Sequence, residues 1–284
     1  MPGAVRTAVF PVAGRGTRFL PVTKSVPKEL LPVVDKPLIQ YAVEEAVAAG
    51  ATRLVLVTHS SKSAIERHFQ PDEDLERALA GNERQDLLQL VRDTVPAGVS
   101  FSYVEQPEPL GLGHAVLCAR DAVGDEPFFV HLPDDLIHSR VGCLQQLLEH
   151  YQQHQSSVIA VEEVAPDQTR SYGIVAVDDD NRLLEIVEKP EPADAPSNLG
   201  VVGRYLLTPR VFDLLKTTPR GSGGEIQLTD AIAALLQHED AFAVRFSGTR
   251  YDCGNTLGYI RANVDFALAR DDLRDDLRSV LKKL

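Results

Sequence analysis

The sequence has little cysteine, no long apolar run and no excess of positive charge. Its 284 residues include three cysteines, Cys118, Cys143 and Cys253. They lie far apart, which excludes a disulfide framework and a zinc-type spacing. A reducing, cytoplasmic setting is the expectation. No apolar stretch approaches the roughly 20 residues that a membrane-spanning helix needs. The opening MPGAVRTAVF lacks a charged segment followed by an apolar one, so no secretory signal is expected. Lysine and arginine number 29 against 41 acids, a net charge of −12. That balance argues against non-specific nucleic-acid binding. Any anionic ligand must meet a locally basic site.

Short β-branched runs alternate with longer helical ones. TAVFPVA (7–13) reads as a buried strand. Pro37 is expected to open a helix at its first position, and Gly50 to end it. RLVLVTH (53–59) is the next strand and SSKSAIERHF (60–69) starts the next helix. A charged helical stretch at 72–93 breaks at Gly81. SFSYVEQ (100–106) is a strand, GLGHAVLCARDAV (111–123) a helix, and PFFVHLPDD (127–135) a strand ending in acids. Such alternation implies parallel βαβ units in an open sheet. After about residue 155 strands dominate, with helices returning at 209–218, 228–239 and 255–284. No internal repeat is visible. One α/β domain with added antiparallel strands and a helical tail is expected.

The first loop concentrates positive charge. Between Gly14 and Pro32 stand Arg15, Arg18, Lys24 and Lys28, with Glu29 the only acid. It leaves the carboxyl end of the first strand, where open α/β sheets bind ligands. Gly14 and Gly16 let backbone N–H groups approach a ligand. Arg18 offers a fork and Lys28 a point charge, a combination suited to polyphosphate. GRGTRF lacks the third glycine of a dinucleotide fingerprint, and no GxxxxGK[ST] is present.

The full stretch PVAGRGTRFLPVTKSVPKELLPVVDKPLIQY resembles the signature of the sugar-1-phosphate nucleotidylyltransferases. LVTHSSKSAIERHF, GLGHAVLCA, LPDD, YGIV, VEKP, SNLGVVGRY, GEIQLTDAI and DCGN follow in the family's order, over about residues 6 to 265. The resemblance implies a Rossmann-like mixed sheet flanked by helices, the fold of nucleotide-diphospho-sugar transferases. It implies a single domain over 1–284: a nucleotide-binding half at about 6–135, a sugar-phosphate half at 136–254 and a helical tail at 255–284. The bacterial uridylyl branch fits best. Its members, with Mg²⁺, move a uridylyl group from UTP to glucose 1-phosphate, giving UDP-glucose and pyrophosphate. Relatives are commonly dimers or tetramers, so a homodimer or homotetramer is implied.

Roles carry over residue by residue. Ala13, Gly14, Gly16, Gln106 and Gly111 would bind the nucleotide, with the Gln106 amide and the Gly111 backbone on the uracil edge. An amide has a donor and an acceptor, as the imide face of uracil requires. Asp134 and Asp252 would hold Mg²⁺, a hard ion that takes oxygen ligands. Asp135 reads as a supporting group or an exposed acid facing away from Asp134. Gly173, Glu188, Lys189 and Val201 would form the sugar-phosphate site, with Asn198 nearby. Arg18, Lys28, Lys189 and Asp134 would carry catalysis. Thr229 or Asp230 can cap the helix of GEIQLTDAI. Cys253 and His131 read as packed residues.

The attacking phosphate oxygen is already ionised at neutral pH, so no general base is needed. Positioning and charge neutralisation should dominate. QPEPLG resembles thymidylyltransferases, so the same chemistry with dTTP is the alternative. A non-catalytic nucleotide-sugar-binding protein is a more distant one.

Overall fold

A computed structural model describes residues 4–59, 62–81 and 84–283. A mixed sheet of nine strands, among the described residues, forms the centre. Along its main path the order is Leu183–Glu188, Gly173–Val177, Leu199–Leu207, Phe128–His131, Thr7–Pro11, Arg53–Thr58 and Ser100–Glu105. The first strand pairs in parallel with Arg53–Thr58 on one side and Phe128–His131 on the other. Four of its five residues are buried, as expected of a β-branched and aromatic run covered on both faces.

The second half is antiparallel. Leu199–Leu207 is buried along all nine residues. It pairs antiparallel with Phe128–His131, Ser157–Glu163 and Gly173–Val177. Ala241–Arg245 lies parallel to Ser157–Glu163 at the branch. A separate two-stranded ribbon joins Asp135–His138 to Thr249–Asp252. Helices cover both faces, over two large apolar clusters that hold Val9 and Phe10 on opposite sides of the first strand.

Several boundaries differ from the sequence reading. Pro37 has extended backbone and precedes the helix Leu38–Ala48, because it is paired in a small hairpin with Pro32. Gly50, at φ 97°, follows that helix as expected. The next helix is Ser63–His68; Ser60 and Ser61 lie outside the described residues. The charged stretch forms Glu73–Gly81 and Gln85–Arg92. Residues 111–123 form two helices, Leu112–Cys118 and Arg120–Val123, because the Ala119 N–H turns back to Val116 O in a tighter turn. The strand expected over 127–135 stops at His131, and Asp135 opens the ribbon instead. Later helices are Val211–Leu215, Leu228–Leu235, Thr256–Ala269 and Arg274–Leu281. Neither Thr229 nor Asp230 caps the helix Leu228–Leu235: both lie inside it, and Gln227 holds the cap position.

Candidate active site

The first loop winds through three short 3-10 turns, Thr17–Phe19, Val22–Lys24 and Lys28–Leu30. Gly16 sits at φ 63°, and a Cβ there would lie 3.1 Å from Lys28 Cβ. Thr23 Oγ1 donates to Gly16 O at 2.8 Å. The chain is thereby folded so that Arg18 and Lys28 point across the sheet edge. Arg18 donates to Gly254 O at 3.3 Å, and Lys28 Nζ lies 2.5 Å from Asp134 Oδ2. Burial opposes both charges of that pair. Their mutual attraction prevails, raising the Lys28 pKa and lowering that of Asp134.

Asp134 lies in the turn between Phe128–His131 and the ribbon, and Asp252 ends the ribbon's other strand. They meet at Gly254. A Cβ on that glycine would lie 2.9 Å from Asp252 Oδ1 and 3.0 Å from Asp134 Oδ2. Asp252 is oriented by the Gly254 N–H and by Asn255 Nδ2, each at 2.9 Å. Asp135 is no exposed acid. It pairs with Arg250 at 2.5 Å, and its Oδ2 accepts the Gly203 N–H at 2.7 Å. Burial raises the Asp135 pKa, and Arg250 opposes that rise.

A cavity of about 480 Å³ opens here. It brings Arg18, Asp134 and Asp252 together with Gly173, Glu188, Lys189 and Val201. Glu188 accepts from Thr229 Oγ1 at 2.8 Å and pairs with Lys189 Nζ at 3.0 Å. Thr229 therefore supports a cavity carboxylate rather than a helix end. Only glycine fits at 173, since a Cβ would lie 2.6 Å from Thr229 Cγ2. Lys189 has φ 48°, a left-handed backbone uncommon for a side chain of this size. Asn198 does not line this cavity; its carbonyl accepts the Val164 N–H at 2.9 Å.

A second cavity, about 520 Å³, is lined by Ala13, Arg15, Lys24, Lys62 and Gln106 among others. Gln106 Nε2 donates to Gly111 O at 3.1 Å and meets His114 Nδ1 at the same distance. Gly111, at φ 102°, packs against the Glu225 side chain and the Ile226 backbone, where a Cβ would lie 2.9 Å from Ile226 O. Gly14, Gly16 and Gly111 are not in either lining.

Two residues escaped the sequence reading. Lys62 is 7% exposed, and its Nζ lies 2.7 Å from Glu29 Oε2 and 2.5 Å from Val12 O. Lys28 and Glu29 are adjacent, so the pairs Asp134–Lys28 and Glu29–Lys62 link the two cavities. Arg250 was the other. No charge pattern sets either apart, because their acidic partners are remote in sequence. His131 is a core residue, 1% exposed, with Nε2 3.1 Å from Glu45. Burial, with the Arg204 charge, lowers its pKa to about 4. Cys253 is also packed, its thiol pushed by burial up to about 12.

The nucleotidyl transferase family model matches residues 8–268. The chain belongs to that family. It is 47% identical to a UTP–glucose-1-phosphate uridylyltransferase of Bacillus subtilis over 96% of this chain and 94% of that protein. Among solved nucleotidyl transferases, a UTP-bound UGPase from Acinetobacter baumannii superposes with a TM-score of 0.91 at 44% identity. It covers 99% of both chains. A putative glucose-1-phosphate thymidylyltransferase from Bacillus anthracis gives 0.73 at 25% identity, covering 94% of this chain and 96% of that one. The mixed sheet and flanking helices expected of the fold are present.

Proposed function

We propose that the chain transfers a uridylyl group from UTP to α-D-glucose 1-phosphate, giving UDP-glucose and pyrophosphate. The observation that carries this reading is the meeting of Arg18, Asp134, Asp252, Glu188 and Lys189 in one cavity, with Lys28 bonded to Asp134 at its edge. Near identity to uridylyltransferases over the whole length is not required; 47% over nearly all of the chain, against 25% for the thymidylyl relative, favours UTP over dTTP.

Each residue has a task in this reading. Ala13 and Gln106 line the uridine side, with the Gly14, Gly16 and Gly111 backbones beside it. Arg18 and Lys28 hold the nucleotide phosphates and stabilise the departing pyrophosphate. Glu188, braced by Thr229, accepts from sugar hydroxyls, while Gly173 and Val201 shape the sugar wall. Lys189 holds the phosphate of the sugar. That phosphate's oxygen forms a bond to the α-phosphorus of UTP as the bond to pyrophosphate breaks. The nucleophile carries its own negative charge, so the site supplies alignment and cations rather than a base.

Mg²⁺ suits the two carboxylates that meet at Gly254, because both present hard oxygen donors. Among the described residues no group of three or more His, Cys, Asp or Glu is placed to hold a metal. Asp134 and Asp252 would therefore share the ion with oxygens of the nucleotide and water. When bound, it neutralises phosphate charge.

A homodimer or homotetramer belongs to the same reading, supported by Leu257 and Ile260, exposed on the helix Thr256–Ala269. So does a cytoplasmic location; among the described residues no helix is long and apolar enough to cross a membrane. The test of the reaction is pyrophosphate release with glucose 1-phosphate and Mg²⁺, run with UTP and with dTTP. Release with UTP is expected. A preference for dTTP, or silence with both from folded protein, would overturn it.

A further inference from the structure

One guanidinium ties the metal side of the cavity to its sugar side. Arg250 donates from Nε to Asp135 Oδ1 at 2.7 Å and pairs through its second terminal nitrogen at 2.5 Å. Its other terminal nitrogen donates to Glu162 Oε1 at 2.5 Å and to the Tyr172 hydroxyl at 3.1 Å. The guanidinium lies 5.1 Å from the centre of the Tyr172 ring. The side chain is 8% exposed and lines the cavity.

The sequence positions of its partners matter. Asp135 follows Asp134, and Arg250 precedes Asp252 by two residues. The ribbon pairs Asp252 directly with Asp135. Tyr172 precedes Gly173 on the sugar wall, and the Tyr172 carbonyl accepts the Lys189 N–H at 2.9 Å. Three aspartates, Asp134, Asp135 and Asp252, line one cavity. Lys28 meets the first, and the Arg250 fork holds the second. A buried ion pair of this kind is a weak source of stability, because desolvation offsets the attraction. Its geometric effect is stronger: a planar fork fixes what it grips.

We propose that Arg250 is a positioning residue for uridylyl transfer. It withholds Asp135 from the divalent cation, and it holds the Asp134–Asp252 pair in register with the Tyr172–Gly173 wall. The proposal rests on the reading of the site given above. Arg250 touches no reacting atom in it.

Removing the guanidinium has two effects of opposite sign. Asp135 loses its counter-charge, so an uncompensated negative charge stands beside Asp134 and Asp252 and the cation binds more tightly. The aspartates and the sugar wall lose their common register, so transfer slows. Damage to the fold alone gives no gain in cation affinity.

The experiment uses Mn²⁺ as the probe, titrated into the nucleotide-free protein and followed by the loss of the free-ion signal in electron paramagnetic resonance. Turnover and the KM for glucose 1-phosphate are measured beside it, with thermal melts. Arg250→Met should bind Mn²⁺ about tenfold tighter, in line with the gain of one uncompensated charge near the site. Its kcat should fall roughly a hundredfold, as expected for a small misplacement of reacting groups. Adding Asp135→Asn to it should return Mn²⁺ affinity to the wild-type level without restoring kcat. Arg250→Lys keeps the charge but not the fork, so its Mn²⁺ affinity should stay near wild type while kcat stays low.

Unchanged or weaker Mn²⁺ binding in folded Arg250→Met overturns the proposal, and so does full turnover in Arg250→Lys. If Arg250→Met does not fold, Asp135→Asn alone decides: it removes one negative charge, so lowered kcat with Mn²⁺ binding about tenfold weaker supports the proposal, whereas abolished Mn²⁺ binding makes Asp135 a ligand and overturns it, as does unchanged kcat. A wild-type protein that transfers no uridylyl group refutes the underlying reading instead.

Discussion

Lys28 Nζ and Asp134 Oδ2 are 2.5 Å apart, so the cation assigned to the nucleotide phosphates is bonded to a carboxylate assigned to the metal. Each neutralises the other in a cavity that is only partly closed, their side chains being 22% and 24% exposed. Entry of a nucleotide with its metal gives both groups new partners. Lys28→Met should therefore tighten Mn²⁺ binding to the nucleotide-free protein. It should also lower kcat by roughly 10²–10³, the usual cost of one lost electrostatic stabiliser. Metal titration and steady-state kinetics on the same preparation check the two signs.

Lys189 lines the same cavity as Asp134, beside Glu188 and on a left-handed backbone. Lys189→Ala should raise the KM for glucose 1-phosphate and cut turnover by roughly 10²–10³. The KM for UTP should change little. Unchanged kinetics with glucose 1-phosphate would remove Lys189 from the phosphate site.

The buried pair Glu29–Lys62 makes a prediction about stability. Both side chains are under a tenth exposed. Lys62→Met leaves Glu29 without its counter-charge and should cost about 3–5 kcal/mol in denaturant unfolding. The double variant Glu29→Gln, Lys62→Met removes the stranded charge and should recover much of that loss. A double variant no more stable than Lys62→Met would contradict the account.

His131 gives the stability a pH dependence of known sign. Its folded pKa is about 4, lowered from 6.5 by burial and then by Arg204. The unfolded chain binds a proton in that window and the folded one does not, so stability falls as pH drops from about 6.5 towards 4. A shift of that size corresponds to about 3 kcal/mol. Thermal melts between pH 7 and 4.5 should show the decline, and His131→Gln should flatten it.

Parts of the candidate site were legible in the sequence because its charged residues sit on short, dense segments. Arg18 and Lys28 share one loop, and Glu188 and Lys189 are neighbours. The sequence set the first loop at the carboxyl edge of the sheet, and in the structure Arg18 shares a cavity with Glu188 and Lys189. What stayed hidden depended on long-range pairing. The alternation that turned Asp135 away from Asp134 assumed one continuous strand, but the backbone turns after His131 and starts a ribbon in another sheet. Arg250 then reaches Asp135 across 115 residues. Thr229 resembled a cap by residue type, yet its hydroxyl is held by Glu188, 41 residues away. Pro37 was assigned by its tolerance at a helix start, and a hairpin with Pro32 claimed it first.

Asn255 serves two masters at the far end of the ribbon. Its Nδ2 donates to Asp252 Oδ2, while its Oδ1 accepts the Gly258 N–H that starts the helix Thr256–Ala269. That helix runs on to Tyr259, whose hydroxyl donates to Pro32 O beside the first loop. The carboxylate assigned to the metal is thus spliced to the root of the C-terminal tail, and the tail in turn to the basic loop. An event at Asp252 has a short mechanical route to amides that never see substrate. The exchange rates of the first turn of Thr256–Ala269 become a remote gauge of the state of the site.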